Sequence, residues 1–221
     1  MPKVGIISTG NELVPVSEKP LPGQVRDVNS YVVASFVQEQ GGTPLLFGII
    51  RDDRDALRAA ISRAAAECDA VLISGGSSKD DRDMVAAVIG EQGEVLVHGI
   101  AISPGKPTII GKCETKPVIG LPGHPASAYI VLIAIVRHLL SRMTGETESN
   151  IRVMQATLGQ NVPSSKGRED YVRVAVRDGI ATPVFGKSGL LNTLVQSTGV
   201  VRVPADSEGL ETGTPVEVIL W

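Results

Sequence analysis

The 221 residues carry 21 Lys and Arg against 24 Asp and Glu, a net charge of −3, with 43% hydrophobic but only 3% aromatic residues. The length allows one large domain, or an ordinary one with a small appendage, and the apolar share supports a real core. No basic field is available for duplex phosphates and few aromatic platforms for single-stranded bases, so nucleic acid is not an expected partner. Cys68 and Cys113 lack paired spacing, which predicts free thiols in a reducing, cytoplasmic compartment, and three histidines argue against a His-built metal site. Met1-Pro2-Lys3 runs straight into a strand-like segment, so no secretory peptide is read. The longest apolar run, Ala128 to Val136, is well short of the ~20 residues that span a bilayer, and a soluble chain with no membrane partner is expected.

In chain order, Val4-Gly5-Ile6-Ile7 reads as a strand and Asn29 to Gln40 as a helix stopped by Gly41-Gly42. Pro44 to Ile50 is the next strand, and Asp52-Asp53 precedes a helix from Asp55 to Glu67 with Leu57 and Ile61 on its buried stripe. Ala70-Val71-Leu72-Ile73 is a buried strand that delivers Gly75-Gly76. A helix from Asp83 to Glu91 follows, then an extended stretch from Val95 to Ile102 and the turn Pro104-Gly105-Lys106-Pro107. Thr108-Ile109-Ile110 and Pro117 to Leu121 read as a hairpin or adjacent strands, and Pro125 opens an apolar helix to about Met143. The polar run from Thr144 to Asn150 has the composition of a linker. Beyond it, short alternating runs such as Tyr171 to Val176 predict a small all-β module. The expected architecture is therefore an α/β domain over residues 1–147, a three-layer, mostly parallel sheet with helices on both faces, followed by a barrel-like β domain over residues 148–221.

Four loops after strand-like runs carry the chemistry of holding a phosphorylated anion over carboxylates. In the first, Thr9-Gly10-Asn11-Glu12-Leu13, Glu12 can accept a proton, bind Mg²⁺ or orient water, and reads equally as an exposed loop acid. Asp27-Val28-Asn29 reads first as a helix cap, with Asn29 kept as a substrate contact. Capping explains one of Asp52 and Asp53 and leaves the other free. The run Ser74 to Asp83 combines Gly75 and Gly76 with the hydroxyls of Ser77 and Ser78, donors for phosphate or oxyanion, and with Asp81 and Asp83, which can hold a divalent cation. It has neither Walker A nor dinucleotide-fingerprint spacing. Lys106 is a cation presented stiffly between two prolines. Gly123-His124-Pro125-Ala126-Ser127 starts a helix, whose free N–H groups attract anions.

Thr9-Gly10-Asn11-Glu12-Leu13, Gly48-Ile49-Ile50-Arg51-Asp52-Asp53, Ser74-Gly75-Gly76, Pro104-Gly105-Lys106-Pro107 and Gly120-Leu121-Pro122-Gly123, in this order, resemble the molybdopterin-binding domain of enzymes that insert molybdate into molybdopterin. Gly186-Lys187-Ser188-Gly189-Leu190-Leu191 and Glu211 to Val218 resemble the C-terminal β-domain of the molybdopterin molybdotransferases, the MoeA family. The resemblance implies an acidic set of Glu12, Asp52 or Asp53, and Asp83, with Mg²⁺ on Glu12 and Asp83. It also implies substrate contacts from Thr9, Gly10, Asn29, Gly75, Gly76, Ser77, Ser78, Lys106, Gly123 and Ser127. The implied reaction removes AMP from adenylylated molybdopterin and places molybdate on the dithiolene.

Two positions depart from the family pattern: Asp80 stands where a second loop glycine is usual, and His124 where Asn is commoner. The resemblance also implies further domains ahead of the first strand that complete the site across a homodimer. This chain is thus expected to dimerise and to turn over slowly or not at all without such a fragment or an adenylyltransferase partner. Adenylylation of molybdopterin by ATP and non-catalytic binding of molybdopterin or a nucleotide are the alternatives. Residues 151–221 hold no cluster of carboxylates beside a phosphate-cradling loop, so the β module is expected to be accessory.

Overall fold

The computed structural model describes residues 1–75, 79–145 and 151–221, without the side chains of Lys79 to Asp83. The first unit runs β1 (Lys3–Thr9), β2 (Leu13–Val14), β3 (Val25–Arg26), α1 (Asn29–Glu39), β4 (Thr43–Ile50), α2 (Arg54–Glu67), β5 (Ala70–Gly75) and α3 (Lys79–Gln92). It continues with β6 (Gly93–His98), β7 (Ile102–Ser103), β8 (Ile109–Cys113), β9 (Lys116–Leu121) and the helix α4 (Pro125–Thr144), which passes through a π-helical turn at Leu132–Val136. Its sheet has the order β4-β1-β5-β9-β8-β6. The first four strands are parallel, and β8 and β6 extend them as an antiparallel edge.

Alternation along each strand sends side chains to both faces, and both faces are covered. Ile6 and Leu72 pack with Val33, Phe36, Ile130 and Val136 under α1 and α4. Ile7, Val71 and Ile73 pack with Leu57, Ile61, Val88 and Ile89 under α2 and α3. The three-layer, mostly parallel architecture is the expected one.

Local chemistry sets the helix ends. Asp53 caps α2, its Oδ1 accepting from Ala56 N at 2.7 Å. Gly41, at φ 74°, ends α1 with Gly41 N donating to Gln38 O and Gly42 N to Val37 O, the paired bonds of a Schellman motif. Helix α3 begins at Lys79, four residues before the expected Asp83. Acidic residues suit the positive end of a helix, and Asp80, Asp81 and Asp83 fall in its first turns. The extended stretch expected from Val95 to Ile102 is split into β6 and β7. Cys68 and Cys113 are free and buried, and burial pushes both thiols up from their ordinary pKa. At 20 residues α4 is long and apolar enough to cross a membrane, against the expectation drawn from its shorter apolar run. Its apolar residues, among them Ile130, Leu132, Ile133, Val136 and Leu140, are buried in the core instead.

The second unit comprises β10 (Val153–Leu158), β11 (Val162–Pro163), β12 (Glu169–Arg177), β13 (Ile180–Pro183), a short helix α5 (Asn192–Val195), β14 (Gly199–Val203), β15 (Gly209–Leu210) and β16 (Pro215–Leu220). The order β13-β10-β16-β14-β12 closes through β12–β13 pairing into a five-stranded barrel. Leu158, Val174, Ala181, Val203 and Val218 fill it. The polar run expected to be the linker falls largely on residues 146–150, outside the described residues, as does the 147/148 boundary.

The two units share more than a chain connection. Strand β7 pairs with β12, placing Ile102 opposite Glu169 and Ser103 opposite Asp170. Ile102, Tyr171 and Val200 join the cluster under α4. Tyr129 of α4 packs edge to face on Trp221 at 5.1 Å, and Trp221 Nε1 donates to Ser197 O at 2.7 Å.

Candidate functional site

The C-terminal ends of β1 and β5 meet the start of α4 around a cleft of about 360 Å³, where open α/β sheets place their ligands. Gly75 is required there: a Cβ on it would stand 2.1 Å from the carbonyl oxygen of Thr9. Asn29, the first residue of α1, is buried at 7% exposure. Its Nδ2 donates to Ser74 Oγ at 2.9 Å and to Gly123 O at 2.8 Å, so one amide ties α1, β5 and the loop before α4 together. Among the described residues its buried Oδ1 has no partner, whereas buried polar atoms are nearly always paired.

Of the residues singled out in the sequence, Thr9, Glu12, Asn29, Gly75 and Gly123 line this cleft. The Glu12 carboxylate folds back over the preceding backbone, so that a Cβ on Gly10 would lie 2.6 Å from Glu12 Oε2. Gly10 itself borders a neighbouring cleft that shares Leu13 and Asp27 with this one.

The expectation that one of Asp52 and Asp53 is free is corrected. While Asp53 caps α2, Asp52 Oδ1 accepts from Thr9 Oγ1 at 3.2 Å and Oδ2 from Asn11 N at 2.9 Å. Asp52 thus holds a loop in place and Asp53 a helix end, and neither lines the cleft. Lys106 is exposed in its turn and Ser127 is buried on α4, also away from the lining. Gly76, Ser77, Ser78 and the side chain of Asp83 lie outside the described residues. Among the described residues, no group of three or more His, Cys, Asp or Glu could hold a metal ion. The carboxylates among the described lining residues, Glu12 and Asp27, are of the kind Mg²⁺ takes, since that ion keeps several waters and uses one or two carboxylates beside a phosphate.

Arg26, Asp27, His124, Gly189 and Leu191 also line the cleft and were missed as site residues. Asp27 is buried and caps α1 through Ser30 N at 3.1 Å, while Arg26 Nε donates to Glu18 O at 2.9 Å. Gly189 and Leu191 belong to the barrel unit, so the unit expected to be accessory contributes to the cleft wall. Its loop touches the start of α4 twice: Ser188 O accepts from Ala126 N at 3.1 Å, and Ser188 Oγ lies 3.1 Å from His124 Nδ1. Hence one N–H at the start of α4, expected to meet an anion, meets a carbonyl of the barrel. The Gly-Lys-Ser-Gly run was the available signal. A larger cleft of about 570 Å³ between α4 and the barrel contains none of the residues predicted from sequence.

Residues 5–142 match the family described as the probable molybdopterin binding domain, and residues 155–221 match the MoeA C-terminal region, domain IV. A Methanocaldococcus jannaschii protein named as a putative molybdopterin biosynthesis protein is 36% identical over 98% of the chain and 54% of its own length. The molybdopterin molybdenumtransferase of Bacillus subtilis is 32% identical over 99% of the chain and 52% of its own. The crystal structure of a MoeA molybdopterin biosynthesis protein from Pyrococcus horikoshii superposes with a TM-score of 0.89 at 42% identity, over 99% of this chain and 54% of that one. The chain thus spans about half the length of the relatives it matches. It belongs to the family of the probable molybdopterin binding domain, with the MoeA C-terminal region following in the same chain.

Proposed function

We propose that the chain acts in molybdenum cofactor biosynthesis as a molybdopterin molybdotransferase, or the part of one that binds adenylylated molybdopterin and molybdate and from which AMP is released. The observation that carries this reading is the cleft at the ends of β1 and β5, held together by Asn29 and finished by the barrel loop. The matched families and the named activity of the relatives support it. The matched MoeA region, whose loop borders the cleft, favours molybdate insertion over adenylylation.

In this reading Asn29 Oδ1 accepts from the ligand, while Ser74 and Gly123 fix the amide that offers it. Asp52 keeps the Thr9 loop in register, so that Glu12 is presented at the cleft. Glu12 and Asp83 would hold Mg²⁺, which neutralises charge on a phosphoanhydride when bound. Ser77, Ser78, Lys106 and Ser127 remain proposed anion contacts. The barrel loop and a second copy of the chain would exclude water from the reacting group, and a cytoplasmic homodimer is part of the proposal.

The test is AMP release from adenylylated molybdopterin with molybdate present, comparing wild type with Glu12→Gln, alone and with the N-terminal half of a relative added. Release that depends on Glu12 is expected. Binding without release in either arrangement would reduce the chain to a molybdopterin-binding protein, and no binding would sink the reading.

A further inference from the structure

The imidazole of His124 is a feature of the cleft that the proposed reaction leaves unused. It is exposed just before α4 and lines the same cleft as Glu12 and Asn29. The ring is met from the barrel side: Nδ1 lies 3.1 Å from Ser188 Oγ, and a Cβ on Gly189 would make ordinary contact with His124 Cδ2 at 3.5 Å. Ser188 is anchored in turn, its carbonyl accepting from Ala126 N at 3.1 Å. The hydroxyl contact engages one ring nitrogen and leaves Nε2 for a ligand.

We propose that His124 is a further ligand-binding residue of this cleft, taking a tetrahedral oxyanion of the phosphate class through Nε2, with Ser188 as the positioning residue that orients the ring. The inference rests on the reading that the cleft takes an anion. Among the described residues, the charged groups that share the cleft lining with His124 are Glu12 from the loop after β1 and Arg26 and Asp27 from the approach to α1. The first turn of α4 has no acidic residue. Asp27 is engaged with the start of α1 and Arg26 with a carbonyl, so Glu12 is the acid that opposes an anion and His124 the ring that offers it a hydrogen-bond donor.

Sulfate is the probe, because it is a tetrahedral oxyanion of fixed charge near neutral pH. Its binding to the full chain is read from imidazole and backbone ¹⁵N shifts. Wild type should bind roughly tenfold more tightly than His124→Ala, the size of one hydrogen bond to a charged group. Ser188→Ala should weaken sulfate binding less than His124→Ala does and should shift the ring resonances. Equal sulfate affinity in His124→Ala, sulfate that moves Gly123 and Ala126 without moving the ring, or no sulfate at the cleft would each overturn the proposal. A chain that shows the expected sulfate behaviour but binds no adenylylated molybdopterin keeps this inference and loses the functional one.

Discussion

Arg173 Nη1 donates to Thr193 Oγ1 over 2.6 Å, while its Nη2 reaches Gly186 O at 2.8 Å, so one guanidinium holds both ends of the barrel loop that borders the cleft. Thr193 Oγ1 passes the contact on to Leu190 O at 2.7 Å. Little apolar packing assists, since Phe185, Leu190 and Val195 are 60%, 49% and 82% exposed. Arg173→Met should therefore cost about 2 kcal/mol and should loosen residues 186–193 selectively. Hydrogen exchange is expected to rise by roughly tenfold in those amides and to stay unchanged in β14 and β16. Unaltered loop exchange would show that another contact holds it.

Asn29 sets the shape of the cleft through donors, so changing them to acceptors is the sharpest probe. In Asn29→Asp an anionic oxygen replaces the amide nitrogen opposite Gly123 O and Ser74 Oγ. The expected loss is about 2–4 kcal/mol in urea denaturation, together with loss of molybdopterin binding. Wild-type binding by a folded Asn29→Asp would remove this residue from the site.

Gly75→Ala tests the close approach of β1 and β5. The atom it meets, Thr9 O at 2.1 Å, is backbone and cannot swing aside, so the strand ends must part. A loss of about 3 kcal/mol or more is expected, with weakened ligand binding. A melting temperature equal to wild type would mean that the strand ends separate freely.

Alkaline pH offers a test at the seam between the units. Burial, and then Glu169, pushes Tyr171 from an ordinary value of 10.0 up to about 12. Below pH 10 the phenol is protonated in both folded and unfolded chains, and its contribution is complete. Above that the unfolded chain ionises first, and the stabilisation is lost as pH rises through about 12. Tyr171→Phe should flatten the fall in stability between these values, although Tyr129, which burial also raises, remains to contribute. An identical alkaline profile would place the transition on other groups.

The parallel sheet was legible because its strands are buried on both faces and read as unbroken apolar runs, as Val71, Leu72 and Ile73 do. Thr9, Glu12 and Gly75 were legible because a strand followed by a flexible loop is itself a ligand-edge signal. Asp52 was misread because a free loop acid and one clamping a loop 41 residues away have the same local sequence. His124 and Ser188, 64 positions apart, meet only through the docking of the barrel, which no local pattern encodes. Asp81 and Asp83 read as possible cation ligands because the acids that favour a helix start are also those that hold cations.

Strand β7 has a mechanical meaning. Ile102 and Ser103 leave the first unit to pair with β12, far along the chain from Val153, where the barrel strands begin. A body tied at one point can swing in any direction, but one tied at two separated points can turn only about the line joining them. The barrel is tied in this second way, and Tyr129 against Trp221 obstructs the rotation that remains. Opening of the cleft should therefore come from movement of its loop, with the barrel staying in place as a fixed jamb.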